Sequence, residues 1–220
     1  MAHDGQDLTM STPIILDNLL ALTGASVAPV AALTEAAKIT LRSLVSADGR
    51  VSGALIEANQ TAAHGLSWLA TYSQALKQMQ AWAEKLQGEG KFGEIEQLLH
   101  QIGFGEYLNQ IRGGIPMSQG EIIRVTDIGL GPDALSVLNM PEIDTLTAFG
   151  NTQAARVRLV ELMQEQAANI TFGASGLEEE LEMIREQFRR FAVDKVIPDA
   201  HDWHLRDDLI PMEIIDELAE

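Results

Sequence analysis

The densest group of side chains with catalytic or metal-binding chemistry lies near the end of the sequence. It consists of two imidazoles and three carboxylates: His201, Asp202, His204, Asp207 and Asp208. On a helix the two imidazoles would share a face, and together with Asp208 they could bind a metal ion. Pro198 and Pro211 flank the group and disfavour a regular helix there. We therefore interpret it as a solvated acidic turn anchored by a buried Trp203, and we expect no metal.

His64 lies in the middle of a predicted helix, within the sequence AAHGLSWLATY. A histidine on a face of small residues could act as a general base, but no acid or hydroxyl partner stands at a fixed spacing from it. We therefore expect His64 to pack in the core or at an interface. The neighbouring Gly65 would permit two helices to approach closely.

Two groups of glycines invite comparison with phosphate-binding loops. They are Gly103 and Gly105, in the sequence GFGEY at residues 103–107, and the pair Gly113-Gly114. Neither group matches a P-loop, and the dinucleotide-binding pattern needs a preceding strand that the sequence does not predict. We interpret them as helix-capping or loop glycines.

The segment GGIPMSQGEIIR, residues 113–124, is the most distinctive loop of the first 170 residues. Ser118 and Glu121 have the spacing of a capping box, which predicts a short helix reaching about Val125. The capping box leaves Ile115-Pro116-Met117 unexplained, so a docking loop is a second interpretation.

The composition excludes several classes of function. The chain has no cysteine, which removes disulfides, thiolate nucleophiles and cysteine-based metal sites. The formal net charge of −17 repels phosphate backbones and anionic lipids, so we expect no nucleic-acid or membrane partner, although Arg185, Arg189 and Arg190 form a local basic cluster. The N-terminus lacks the features of a secretory signal, and the longest apolar runs are far shorter than the roughly 20 residues needed to span a bilayer. We expect a cytoplasmic protein.

The apolar residues recur at helical spacing almost throughout, so we predict an all-α fold. The predicted helices cover residues 11–23, 26–45, 51–87, 92–111, 118–125, 133–138, 141–149, 152–170 and 176–196, and one more begins after residue 211. The sequence NITFGASG at residues 169–176 is small and turn-prone. We place the domain boundary there. This gives a bundle-like N-terminal extension at residues 1–172 and a second helical domain, of which residues 173–220 are the first part.

The last forty residues carry an order of residue types that amphipathic patterning does not require. The helix ELEMIREQFRRFAVDKVIPDA at residues 180–200 is followed by Asp202-Trp203, and then by Leu209-Ile210-Pro211 leading into a second helix. This order resembles the N-terminal start of the acyl-CoA dehydrogenase family. Segments of the extension at residues 63–84, 102–111 and 113–124 are similar to a family member that acts on a branched acyl-CoA.

The resemblance implies an enzyme that uses FAD to oxidise an acyl-CoA, passes electrons to electron-transfer flavoprotein and forms a homo-oligomer. The family's catalytic glutamate and most flavin contacts would lie beyond Glu220, so no catalytic, cofactor-binding or metal-ligating residue is assigned to this chain, which alone should be inactive. The extension would support oligomerisation or shape the substrate entrance. The alternative is a stand-alone helical protein-interaction module without enzymatic activity.

Overall fold

The computed structural model of the protein describes residues 13–166 and 172–219. The chain divides into two compact units, one ending at Ala174 and the other starting at Ser175. We call them the N-terminal unit and the C-terminal unit. Helices dominate both units, which confirms the all-α prediction. The predicted extent of the functional domains, 1–172 and 173–220, stays a prediction.

The N-terminal unit is built around helix α1 (Leu19–Leu44), which turns one face inward at steps of three and four residues. Its buried residues are Leu19, Thr23, Ser26, Val30, Leu33, Ala37 and Leu41. The sequence predicted two helices separated near Gly24, and this was wrong. A helical glycine costs only about 1 kcal/mol, and the continuous buried stripe outweighs it. The predicted cap at Ser11-Thr12 lies outside the described residues.

Helix α1 is long and apolar enough, by length and composition, to cross a bilayer, so the prediction that every apolar run is too short to do so was wrong. The same test is passed by core helices of globular proteins. Here Val30, Leu33 and Ala37 are at most 1% exposed within the N-terminal unit, and Thr23 and Ser26 donate their hydroxyls to backbone carbonyls of the same helix. One face of α1 is thus buried within the N-terminal unit, the pattern of an amphipathic helix.

A short hairpin and two helices follow α1. Strands β1 (Ser46–Ala47) and β2 (Arg50–Val51) pair across Asp48-Gly49, which both have positive φ as a tight hairpin turn requires. Helices α2 (Gly53–Ala58) and α3 (Gln60–Gly88) were predicted as one helix. They separate at Asn59, whose side-chain amide donates to the Leu55 carbonyl at 2.8 Å and so caps the end of α2.

Between residues 94 and 166, the structure describes three α-helices, one hairpin and a 3₁₀ helix. Helix α4 (Glu94–Gly113) ends at Gly114, which has a φ of 132°, as the glycine pair predicted. Strands β3 (Ile115–Ser118) and β4 (Glu121–Ile123) form an antiparallel hairpin. The 3₁₀ helix (Pro132–Leu138), α5 (Pro141–Phe149) and α6 (Gln153–Glu165) follow at or near their predicted positions.

One main core fills the N-terminal unit. Helices α1, α3, α4 and α5 and the β3–β4 hairpin contribute side chains that are almost completely buried, among them Leu33, Leu69, Leu76, Phe104, Leu108 and Leu146. A smaller cluster joins α4 to α6 through Ile95, Leu98, Ala155 and Leu162. The apolar stripe of α3 is therefore covered within its own unit.

The C-terminal unit is helical but has no buried residue among those described. It consists of α7 (Glu179–Phe191), a π-helical turn (Ala192–Val196), α8 (Ile197–Arg206) and α9 (Met212–Ala219). Leu181, Ile184 and Phe188 share the apolar face of α7, but between 43% and 57% of each is exposed. The apolar face of α7 is therefore only partly covered by the described residues.

Candidate functional site

The first part of the histidine and aspartate group, residues 201–204, lies on a helix, which corrects the predicted turn. Helix α8 includes His201, Asp202, Trp203 and His204. Pro198 stands in the first turn of this helix, where a missing backbone N–H breaks no hydrogen bond. Trp203 is half-buried, and the other residues of the group are exposed.

A metal site does not assemble from this group in the described part of the chain. Residues 13–166 and 172–219 contain no cluster of three histidine, aspartate or glutamate side chains close enough to hold a metal ion. Helix α8 ends at Arg206, and Asp207 adopts a left-handed φ of 58°. The two carboxylates of Asp207 and Asp208 therefore follow the helix and do not continue its face.

His64 is exposed on α3, so the predicted core packing was wrong. Its Nε2 atom accepts a hydrogen bond from the Trp68 indole N–H, one helical turn away, at 3.0 Å. A packing role at an interface with another molecule stays a prediction. Gly65 does permit a close approach, but by a strand: an added Cβ would lie 2.8 Å from Cγ2 of Ile123 on β4.

Gly103 and Gly105 lie inside α4 and are neither cap nor loop residues. A Cβ at Gly105 would lie 2.8 Å from the backbone nitrogen of Asn151 and 2.9 Å from the carbonyl oxygen of Leu146. The absence of a side chain therefore lets α4 contact the α5–α6 corner backbone to backbone. This close contact leaves no room for a phosphate at Gly105.

Most of the segment at residues 113–124 forms the β3–β4 hairpin, from Ile115 to Ile123, so the predicted capping box and helix were wrong. Ser118 and Glu121 are partners across the hairpin, with Gln119-Gly120 as the two-residue turn. The β-branched Ile122 and Ile123 favour a strand, and Gly120 suits a tight turn. These residues are the sequence signal that could have predicted the hairpin.

The basic cluster on α7 is neutralised by its own helix. Arg185 is paired with Glu182 at 2.7 Å, and Arg189 and Arg190 are both paired with Glu186. Hydrogen bonds from Arg189 and Arg190 lower the pKa of the Glu186 carboxyl to about 2. The cluster is therefore not a free anion-binding patch.

Sequence reasoning missed a completely buried polar contact of the N-terminal unit, between Thr23 and His100. Because the Thr23 hydroxyl donates to the Leu19 carbonyl, it accepts from Nε2 of His100 at 3.0 Å. The Phe92 and Phe104 rings lie 5.8 and 4.7 Å from the His100 ring, between centroids. Burial lowers the pKa of His100 to about 4. The contact joins α1 to α4 across 77 residues, so no local pattern reveals it.

The C-terminal unit is similar to a known protein family. Residues 178–220, which include α7, α8 and α9, match the family model described as "Acyl-CoA dehydrogenase, N-terminal domain". This match confirms the family resemblance that the order of residues in the last forty positions predicted.

The chain is also similar to a curated protein, the (2S)-methylsuccinyl-CoA dehydrogenase of Cereibacter sphaeroides. The chain is 55% identical to it over 208 residues. The alignment covers 94% of this chain but 37% of the relative, so the chain spans well under half the length of the protein that it matches. The similarity thus reaches far beyond the segment matched by the family model.

Proposed function

We propose that this chain is the N-terminal part of an FAD-dependent acyl-CoA dehydrogenase that oxidises (2S)-methylsuccinyl-CoA to mesaconyl-CoA. One observation carries the proposal: the 55% identity to the named relative extends over 94% of the chain, whereas the family model matches residues 178–220. The family segment supports the class of reaction. The N-terminal unit, which the family model does not match, supports the particular substrate.

The groove on α7 does not fit the diphosphate of FAD. It has a volume of about 460 Å³, and three carboxylates, those of Glu179, Glu182 and Glu186, line it beside the single guanidinium of Arg190, so its net charge would repel the diphosphate. We therefore place the flavin and the catalytic base outside residues 1–220, and we derive no chemical step from this chain. The proposed electron acceptor of the complete enzyme is electron-transfer flavoprotein, and its proposed location is the cytoplasm.

The proposed role of the N-terminal unit is structural. The apolar stripe of α3 is covered by α1 and α4 within the unit itself. The unit can therefore serve as a preformed body that supports a homo-oligomer or narrows the acyl-CoA entrance. The alternative, a stand-alone interaction module, is favoured by no specific observation in the described residues.

The proposal is tested by the colour of a longer protein. The reading frame should be expressed through and beyond Glu220, and the product purified beside the 220-residue chain. We expect the longer protein to be yellow and to release FAD on denaturation, and the 220-residue chain to be folded and colourless. A stop codon directly after Glu220, or a folded longer product without flavin, would overturn the proposal.

A further inference from the structure

The last residues of the N-terminal unit, 172–174, run against the starting end of α4. The backbone of Ala174 is held there at both of its polar groups. Its N–H donates to the Glu96 carboxylate at 2.6 Å, and its carbonyl accepts from the Trp82 indole N–H at 3.3 Å. Trp82 lies on α3 and Glu96 on α4. Two different helices therefore hold the same residue.

Glu96 is buried, so its contact with Ala174 is part of the packed interior of the unit and not a surface contact. The side chain is 7% exposed, and glutamates are rarely buried unless a partner compensates the lost hydration. Its neighbour in the same helical turn, Glu94, is exposed and paired with Arg158 on α6. Hydrogen bonds to a charged acceptor are about twice as strong as neutral ones. The Ala174 N–H is thus a partner that helps to stabilise a buried carboxylate.

Gly173 provides a separate steric observation. Its φ is +77°, a region that other residues rarely occupy. A Cβ added there would lie 3.0 Å from Oε1 of Glu96 and 3.2 Å from Cγ2 of Ile95. A side chain at residue 173 would therefore contact α4 too closely, and the positive φ would strain its backbone.

We propose that Trp82, Glu96 and Gly173 form an exit clasp, which fixes Ala174 as the point where the chain leaves the N-terminal unit. The following residue, Ser175, is held inside the C-terminal unit, where its hydroxyl contacts Glu182 and accepts from the Leu177 N–H. Consecutive residues are thus anchored in different units. The clasp sets where the segment that resembles an acyl-CoA dehydrogenase begins, and it requires neither flavin nor substrate. Its failure would leave the proposed function standing.

Amide hydrogen exchange of the 220-residue chain tests the clasp at the Ala174 N–H. Glu96→Ala removes the acceptor, and Gly173→Ala displaces the clasped segment without altering α3 or α4. Losing a hydrogen bond to a charged group is expected to speed exchange of the Ala174 amide by about tenfold or more. Chymotrypsin cleavage between Phe172 and Gly173 should rise by a similar factor, because cleavage follows the open population.

Matched variants distinguish a local effect on the clasp from a loss of stability of the whole unit. Glu121→Ala removes an exposed glutamate of β4, and Gly131→Ala adds a Cβ with no atom within 4 Å; both should leave the Ala174 amide unchanged. The Leu69 amide, in the middle of α3, reports global opening. The proposal is overturned if neither clasp variant accelerates the Ala174 amide, or if both accelerate the Leu69 amide equally. A selective effect on Ala174 supports it.

Discussion

At the scale of single residues, His100 shows how a polar group is accommodated in the core. One ring nitrogen donates to Thr23, while Nδ1 has no hydrogen-bond partner among the described residues. A protonated ring would place an unsatisfied N–H in an aromatic environment, which is why burial lowers its pKa from 6.5 to about 4. The folded protein therefore favours the neutral imidazole.

This depressed pKa predicts a specific loss of stability in acid. Above pH 6.5 both the folded and the unfolded chain carry a neutral imidazole, and His100 contributes nothing to the pH dependence. Between pH 6.5 and 4 only the unfolded chain is protonated, so the free energy of unfolding should fall by up to about 3 kcal/mol. Urea denaturation at pH 7 and pH 4.5 measures this fall.

Two histidine variants isolate the contribution of His100. His100→Gln cannot be protonated, so it should lose part of the pH dependence of the wild-type chain. His64→Gln, at an exposed position, should retain all of it. Equal pH dependence in the wild type and in His100→Gln would contradict the assigned role of the buried ring.

Gly105 gives a second prediction at this scale. Gly105→Ala forces the backbone of the α5–α6 corner away from α4, since the new Cβ would meet backbone atoms of Asn151 and Leu146 below 3 Å. We expect a loss of about 1–3 kcal/mol. Gly113→Ala, in the last turn of the same helix with no atom within 4 Å of the added Cβ, should be neutral. Similar denaturation midpoints for the two variants would refute the close contact.

At the scale of elements, the β3–β4 hairpin replaces a predicted helix, and the exposure of two adjacent isoleucines distinguishes the two. Ile123 is 2% exposed and Ile122 is 50% exposed, the alternation of a strand. Ile123→Ala should therefore cost about 2–5 kcal/mol, whereas Ile122→Ala should cost far less. Thermal unfolding of the two variants measures the difference. Comparable losses would contradict the hairpin.

Some helix ends were predicted correctly because residues at the end itself determine them. Gly113-Gly114 ended α4, and Pro141 began α5, as expected. The sequence-based prediction failed where tertiary or side-chain contacts determine the end of a helix. Helix α1 continues through Gly24 because its buried stripe is continuous, and α2 ends where the Asn59 amide caps it. The candidate sites failed for the same reason, since the exposure of His64 and the burial of His100 depend on tertiary packing.

At the scale of the whole molecule, the two units differ in how much of their surface they bury. The N-terminal unit has a core of several helices, whereas none of the described residues of the C-terminal unit is buried. Amphipathic helices gain most of their stability from packing. Amides of α7, α8 and α9 should therefore exchange much faster than those of α3 in the 220-residue chain. Equal protection of the two units would contradict this difference.

We propose that this chain is part of an enzyme for a branched acyl-CoA. Steady-state oxidation of acyl-CoA substrates by the longer protein tests this proposal most directly. With electron-transfer flavoprotein or an artificial acceptor, we predict formation of mesaconyl-CoA from (2S)-methylsuccinyl-CoA. We expect kcat/KM to exceed that for butyryl-CoA by about tenfold or more, the discrimination that pocket contacts can supply. Oxidation of butyryl-CoA with no turnover of (2S)-methylsuccinyl-CoA would contradict the claim.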